Sequence, residues 1–64
     1  MTAEEIARNR RAWIAEVREG FLYFAEYAHW LTPAEMSEAD AMSRDDSITF
    51  AEIAAHFEKK WGLA

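Results

Sequence analysis

Residues 31–36, Leu-Thr-Pro-Ala-Glu-Met, carry the local signal that decides the fold. A threonine followed three residues later by glutamate is typical of a capping box, in which each side chain accepts a hydrogen bond from the backbone N–H of the other residue at a helix start. Pro33 stands at the first helical position, where its missing N–H has no consequence. Leu31 and Met36 have the spacing of a hydrophobic staple. This stretch predicts a helix from Pro33 to about Met42.

The same device occurs twice more along the chain. Residues 48–53, Ile-Thr-Phe-Ala-Glu-Ile, repeat both the capping box and the staple, and residues 2–5 repeat the capping box alone. The repeat at 48–53 predicts a helix over residues 50–61, closed by two lysines and by Gly62, a residue type that suits the position after a helix end. A looser capping pattern at residues 43–46 leaves the start of this helix open by one turn. The repeat near the N-terminus predicts that another helix begins there.

The first helix is predicted to continue through Gly20 to about Trp30. Its apolar residues keep the spacing of one helical face on both sides of the glycine, and glycine inside a helix costs only about 1 kcal/mol relative to alanine. The alternative is a break near Gly20, after which the chain folds back. The apolar residues of this stripe are Ala3, Ile6, Trp13, Ile14, Val17, Phe21, Phe24, Ala28 and Leu31.

The sequence therefore predicts one all-α domain over residues 1–64, with a long helix at residues 3–30 and short helices at 33–42 and 50–61. A helix of about 28 residues is about 42 Å long, whereas each short helix is about 15–18 Å long. The short helices therefore cannot cover the whole stripe, and its N-terminal part is expected to contact a partner. That partner is either a second copy of the chain or a different protein. The residues left for it are Ile6, Arg10, Trp13 and Ile14.

Residues 21–31 are apolar almost all round, and three large aromatic residues form a second stripe there. Either this half of the helix is central and both short helices pack on it, or the aromatic stripe is a binding surface. Tyrosine and tryptophan favour the second interpretation because they dominate interface hot spots. The three residues are Tyr23, Tyr27 and Trp30.

Residues 35–52 hold six acidic residues and a single arginine. Such a group is either a solubilising face or a surface that docks on a basic groove of a target by electrostatic complementarity. The candidates nearest to the predicted loop are Asp40, Asp45 and Asp46.

Composition excludes several classes of function. With a net charge of −5 the chain repels phosphate backbones, so we expect no nucleic-acid partner. It has no cysteine, and its two histidines, His29 and His56, lie far apart in sequence. We therefore expect no catalytic activity, no cofactor and no metal. The absence of cysteine and of any long apolar run predicts a cytoplasmic protein that does not enter a membrane.

Two partial patterns are set aside at this point. Residues 45–52 resemble the second half of an EF-hand calcium loop, but Ala41 and Asp46 stand where that loop needs its first ligand and its glycine. Residues 31–35 and 49–54 resemble the opening helices of helix-turn-helix regulators, but the charge of the chain is wrong for DNA.

Residues 21–59 resemble some small phage-encoded anti-CRISPR proteins. The resemblance rests on residues 24–27 (FAEY), on residues 35–37 (EMS), and on the acidic loop and amphipathic helix that follow. It implies a short acidic protein that occupies a surface of a bacterial effector complex, and it assigns no role to any single residue. We therefore expect a non-enzymatic inhibitor, from a phage or mobile element, that blocks a host complex by protein–protein contact. The alternatives are a homodimeric regulatory or structural subunit and a degenerate helix-turn-helix DNA-binding domain.

Overall fold

The computed structural model describes residues 2–21 and 31–63 of the chain. Within these two ranges it contains three helices and no strand. The helices are α1 (Ala3–Arg18), α2 (Pro33–Ser43) and α3 (Phe50–Lys60). This confirms the prediction of a small all-α domain in which the N-terminal helix is the longest and two shorter helices follow.

The two predicted capping boxes are complete. The hydroxyl of Thr32 accepts the backbone N–H of Glu35 at 3.1 Å, and Oε1 of Glu35 accepts the N–H of Thr32 at 2.9 Å. The corresponding distances between Thr49 and Glu52 are 3.1 and 3.0 Å. At the start of α1 the hydroxyl of Thr2 accepts the N–H of the glutamate three residues on. Each helix therefore begins at its predicted position.

Thr49, rather than Ser43, is the cap of the last helix. Ser43 is instead the final residue of α2, where its hydroxyl donates to the backbone carbonyl of Asp40 at 2.7 Å. The looser capping pattern at residues 43–46 thus marks the end of one helix, and the six residues that follow Ser43 form the connection to α3.

The predicted continuation of the first helix through Gly20 is wrong, because α1 ends at Arg18. Gly20 has a φ of +93°, a left-handed conformation that glycine adopts without a Cβ clash. Its N–H donates to the carbonyl three residues back, and the N–H of Phe21 donates to the carbonyl of Glu16, both at 2.9 Å. This pair of bonds is a Schellman motif, which satisfies carbonyls that a helix end leaves unpaired. The rest of the predicted helix, up to residue 30, lies outside the described residues.

The end of α3 follows the prediction. Gly62 has a φ of +68°, and the N–H of Leu63 donates to the carbonyl of Glu58 at 2.8 Å. The last helical residue is Lys60, and Trp61 is the cap. The same Schellman geometry therefore closes both α1 and α3.

The core lies between α1 and α3, which run antiparallel. Trp13 of α1 meets Phe57 of α3 edge-on, with ring centroids 5.2 Å apart, and its ring lies 5.7 Å from that of Trp61. At the other end of the pair, Gly20 lies beside Phe50. Full burial of a large apolar side chain stabilises the fold by about 1.5–3 kcal/mol, so this seam is a major source of cohesion among the described residues. The buried apolar residues are Trp13, Ile14, Val17, Leu31, Ala39, Ile53, Ala54 and Phe57.

The short helix α2 completes one side of the core and packs on α3. Ala39 is its buried apolar residue, and Met36 and Met42 are partly buried against the core cluster. Ile48, in the connection to α3, is packed there as well. Among the described residues α2 has few apolar contacts, so polar links to α3 also hold its position.

Candidate protein-binding surface

Trp13 and Ile14, which the sequence assigns to a partner, are core residues. Trp13 is 0% and Ile14 2% exposed within the single chain. The prediction is wrong because it rests on a long first helix. A helix of 16 residues is about 24 Å long, and the antiparallel α3 with the residues after it covers its apolar face.

Ile6 and Arg10 lie near the far end of the same face, and both are half-buried. The guanidinium carbon of Arg10 sits 4.7 Å from the centroid of the Trp61 ring, a cation–π contact. Arg10 thus contacts a partly buried tryptophan of its own chain that packs against the core. The other three predicted contact residues of the long helix, Tyr23, Tyr27 and Trp30, lie outside the described residues.

Glu35 has a second role that its capping position does not reveal. It is 7% exposed, and its Oε2 accepts the indole N–H of Trp61 at 2.6 Å while its Oε1 caps α2. Burial by itself raises the pKa of Glu35, but the hydrogen bonds from Thr32 and Trp61 and the nearby charge of Arg10 outweigh it and hold the pKa below its ordinary value. The carboxylate therefore stays ionised and ties α2 to the end of α3.

A second polar link joins the same two helices. Oε1 of Glu38 pairs with Nε2 of His56, and its Oε2 accepts Nζ of Lys60 at 3.2 Å. The hydrogen bonds from His56 and Lys60 lower the pKa of Glu38. Because these side chains are more than a third exposed, the link positions α2 and adds little stability.

The three acidic residues that the sequence singles out lie at the surface around the α2–α3 connection. Asp40 is half-buried and accepts Nε of Arg44 at 3.1 Å. Oδ1 of Asp45 accepts the backbone N–H of Ser47 at 2.9 Å and its hydroxyl at 2.6 Å, and these bonds lower the pKa of Asp45. Asp46 is exposed. The structure thus places all three in one stretch, with the charge of Asp45 held in place by the turn.

Charge differs between the two ends of the described helices, which an ion pair between Arg18 at one end and Glu58 toward the other connects. The acidic half comprises the C-terminal ends of α1 and α2, the connection after α2, and the N-terminal end of α3. Its six acids against two bases give a net charge of −4. The acids are Glu16, Glu19, Asp40, Asp45, Asp46 and Glu52, and the bases are Arg18 and Arg44.

The neutral half comprises the N-terminal ends of α1 and α2 and the C-terminal end of α3. Its five acids against five bases give no net charge. The acids are Glu4, Glu5, Glu35, Glu38 and Glu58, and the bases are Arg8, Arg10, Arg11, Lys59 and Lys60. The polar links that fix α2, through Glu35 and Glu38, belong to this half.

The acidic half also exposes two large apolar side chains. Phe21 is 43% and Phe50 40% exposed, whereas the other large residues of the α1–α3 seam face inward. Phe21 belongs to the apolar stripe predicted for the first helix, and Phe50 is the first residue of the helix predicted over residues 50–61. The spacing of apolar residues indicates which face of a helix a residue lies on. It does not indicate which part of that face a neighbouring helix covers. These two residues are therefore the part of the surface that sequence reasoning misses.

Known proteins offer no guide to this surface, because no family model, curated protein or solved structure matches the chain. Across residues 2–21 and 31–63, no three histidine, cysteine or acidic side chains converge as a metal site requires. In the same part of the chain, no helix has the length and apolar character needed to cross a bilayer.

Proposed function

We propose that this protein acts by binding another protein, as a small inhibitor of phage or mobile-element origin that blocks a host complex. The observation that carries the proposal is the separation of charge, with a net charge of −4 on the acidic half and a balanced neutral half. Asp45 and Asp46 are exposed there, in a turn that needs no rearrangement of the core to meet a target. Complementary charge speeds encounter and fixes the orientation of a complex.

The proposed mode of action is occupation of a basic surface. A small helical domain that docks there blocks the target if that surface also binds the target's own ligand. The resemblance of residues 21–59 to small anti-CRISPR proteins supports the same mode, since those proteins act by occupying a surface of an effector complex.

Neither alternative function gains support from a specific observation. A homodimer is expected from the sequence because Trp13 and Ile14 need a cover, but α3 of the same chain covers both. A helix-turn-helix reader of DNA would need phosphate contacts near α3. The N-terminal end of α3 instead carries Glu52 and follows the aspartates of the connection.

The test is capture followed by inhibition. The tagged, intact chain is incubated with a lysate of the cells that encode it, and the retained complex is then purified separately and assayed for its own activity. We expect a loss of that activity that saturates at one inhibitor per binding site. A captured complex that keeps full activity when it is saturated with the chain contradicts the proposal. So does capture of no more of that complex than an unrelated protein of the same net charge retains.

A further inference from the structure

The apolar seam between α1 and α3 is buried at Trp13 and partly exposed near Gly20, where Phe50 lies. A Cβ placed on Gly20 would lie 3.8 Å from Cδ2 and Cε2 of Phe50, so the Phe50 ring rests against the turn that ends α1. Phe21 is the next residue along that turn. The two half-exposed phenyl side chains therefore stand at the same end of the helix pair.

Acidic residues flank both phenylalanines along the chain. Glu19, the exposed cap of α1, comes two residues before Phe21. The carboxylate of Glu52 accepts the N–H of Thr49, the residue before Phe50, and exposed Asp46 precedes Phe50 in the connection. We call Phe21 and Phe50 the apolar patch and these three acids its acidic rim, and all of them belong to the acidic half of the described residues.

We infer that Phe21 and Phe50 form the anchor of a docking surface for a positively charged protein segment, one that presents an apolar side chain between lysines or arginines. The inference rests on the proposed function and names the class of partner. The apolar side chain covers the phenyl rings, while the basic side chains pair with the rim.

Charge decides among the possible occupants of the patch. A second copy of the chain in a two-fold contact through this patch would bring the two acidic rims together, and like charges in contact oppose association. Nucleic acid and anionic lipid are repelled for the same reason. A basic segment removes this repulsion and shields the two rings at the same time.

The experiment titrates the intact, isotope-labelled chain with three synthetic peptides of equal length and follows backbone amide resonances. One peptide contains lysine and leucine, the second replaces lysine with glutamate, and the third replaces leucine with glycine. We expect the lysine–leucine peptide to shift Gly20, Phe21 and Phe50, with an affinity that falls as salt rises. The glutamate peptide should not bind, and the lysine–glycine peptide should bind at least about tenfold more weakly.

Three variants supply the matched controls. Phe50→Ser removes one ring, and Asp46→Lys reverses one rim charge at an exposed position and leaves both rings in place. Each variant should bind the lysine–leucine peptide at least about tenfold more weakly than the wild type does. Glu4→Lys makes the same change in net charge in the neutral half, and it should leave the affinity within about twofold. If Phe50→Ser loses its helical circular dichroism, Asp46→Lys decides the matter alone.

Several outcomes overturn the inference. One is a set of resonance shifts centred on the neutral half. Another is an equal affinity of Asp46→Lys and Glu4→Lys for the lysine–leucine peptide. A third is binding of the glutamate peptide as tight as that of the lysine–leucine peptide. A captured host complex that binds Phe50→Ser and Asp46→Lys as tightly as the wild type also overturns it, while the proposed function survives. Inhibition of such a complex that is lost in Asp46→Lys and kept in Glu4→Lys supports both.

Discussion

Replacing Trp61 with phenylalanine tests the contact that joins all three helices. The indole N–H donates to Oε2 of Glu35 at 2.6 Å, so the phenyl ring would leave an oxygen of a nearly buried carboxylate without its donor. A hydrogen bond to a charged group stabilises by about 1.5–3 kcal/mol, and the cation–π contact with Arg10 adds about 0.5–1 kcal/mol, part of which a smaller ring loses. We expect the free energy of unfolding to fall by about 2–4 kcal/mol. That is a large share of the roughly 3–10 kcal/mol typical of a domain this size.

The assay is urea unfolding followed by far-ultraviolet circular dichroism at pH 7. It is carried out on the wild type, Trp61→Phe, Glu35→Gln and the double variant. Glutamine keeps the size of the side chain and one acceptor oxygen but removes the charge. We expect a coupling energy of about 1–2 kcal/mol in this cycle, because Trp61→Phe removes the hydrogen bond and Glu35→Gln removes the charge that strengthens it. A coupling energy below about 0.5 kcal/mol would refute a stabilising role of the Glu35–Trp61 contact. A fall in the free energy of unfolding of less than about 0.5 kcal/mol for Trp61→Phe alone would refute it as well.

Acid should remove the same contribution in the wild type. The hydrogen bonds from Thr32 and Trp61 overcome the effect of burial and hold the pKa of Glu35 below its ordinary value of 4.5. A lowered folded-state pKa means that the stabilisation is complete above that ordinary value and is lost as the pH falls through the folded-state pKa. The free energy of unfolding should therefore decline more steeply below about pH 4.5 in the wild type than in Glu35→Gln. Equal slopes in a series of urea midpoints from pH 7 to pH 3 contradict this.

Five further substitutions test the helix ends and the core. Gly20→Ala and Gly62→Ala should each lower the free energy of unfolding by about 1–3 kcal/mol, since both glycines have positive φ; a neutral result in urea unfolding contradicts the left-handed turns. Thr49→Ala should cost about 1 kcal/mol, and Ser43→Ala should stay within about 0.5 kcal/mol; the reverse order would move the start of α3. Trp13→Glu should abolish the helical circular dichroism at 25 °C, because it places a charge in the centre of the core, and a variant with native helix content would show that Trp13 is not buried.

The helix starts could be predicted from the sequence because their causes are local. A capping box needs two side chains three residues apart, and the predicted positions at Thr32 and Thr49 are those of the structure. The end of α1 could not be settled in the same way. The apolar stripe keeps its phase whether or not the chain turns at Gly20, so periodicity favours continuity while the glycine favours a stop. At Gly62 no apolar stripe competes with the glycine, and the predicted end is correct.

The surface depends on contacts that no local pattern reveals. Glu35 and Trp61 are 26 positions apart, and Arg10 lies still farther from Trp61 in sequence. Once α1 stops at Arg18, α3 can lie along it and bury Trp13. A residue that was predicted to contact a partner therefore becomes a core residue. The acidic candidates Asp40, Asp45 and Asp46 are less affected, because charged residues beside a short connection remain at the surface in either arrangement.

The placement of two acids supports the proposal that the acidic half serves binding. The C-terminal end of a helix carries partial negative charge and favours basic residues, and Arg18 in the last turn of α1 follows this rule. Glu19 at the cap of α1 and Asp40 in the last turn of α2 oppose it. In α3 the same rule is obeyed, with Lys59 and Lys60 in the last turn. Glu52 and Asp45 have local structural roles, in the capping box of α3 and in the turn before it. Glu19 and Asp40, which oppose the helix dipoles, are better explained by a basic partner that neutralises the acidic half on binding.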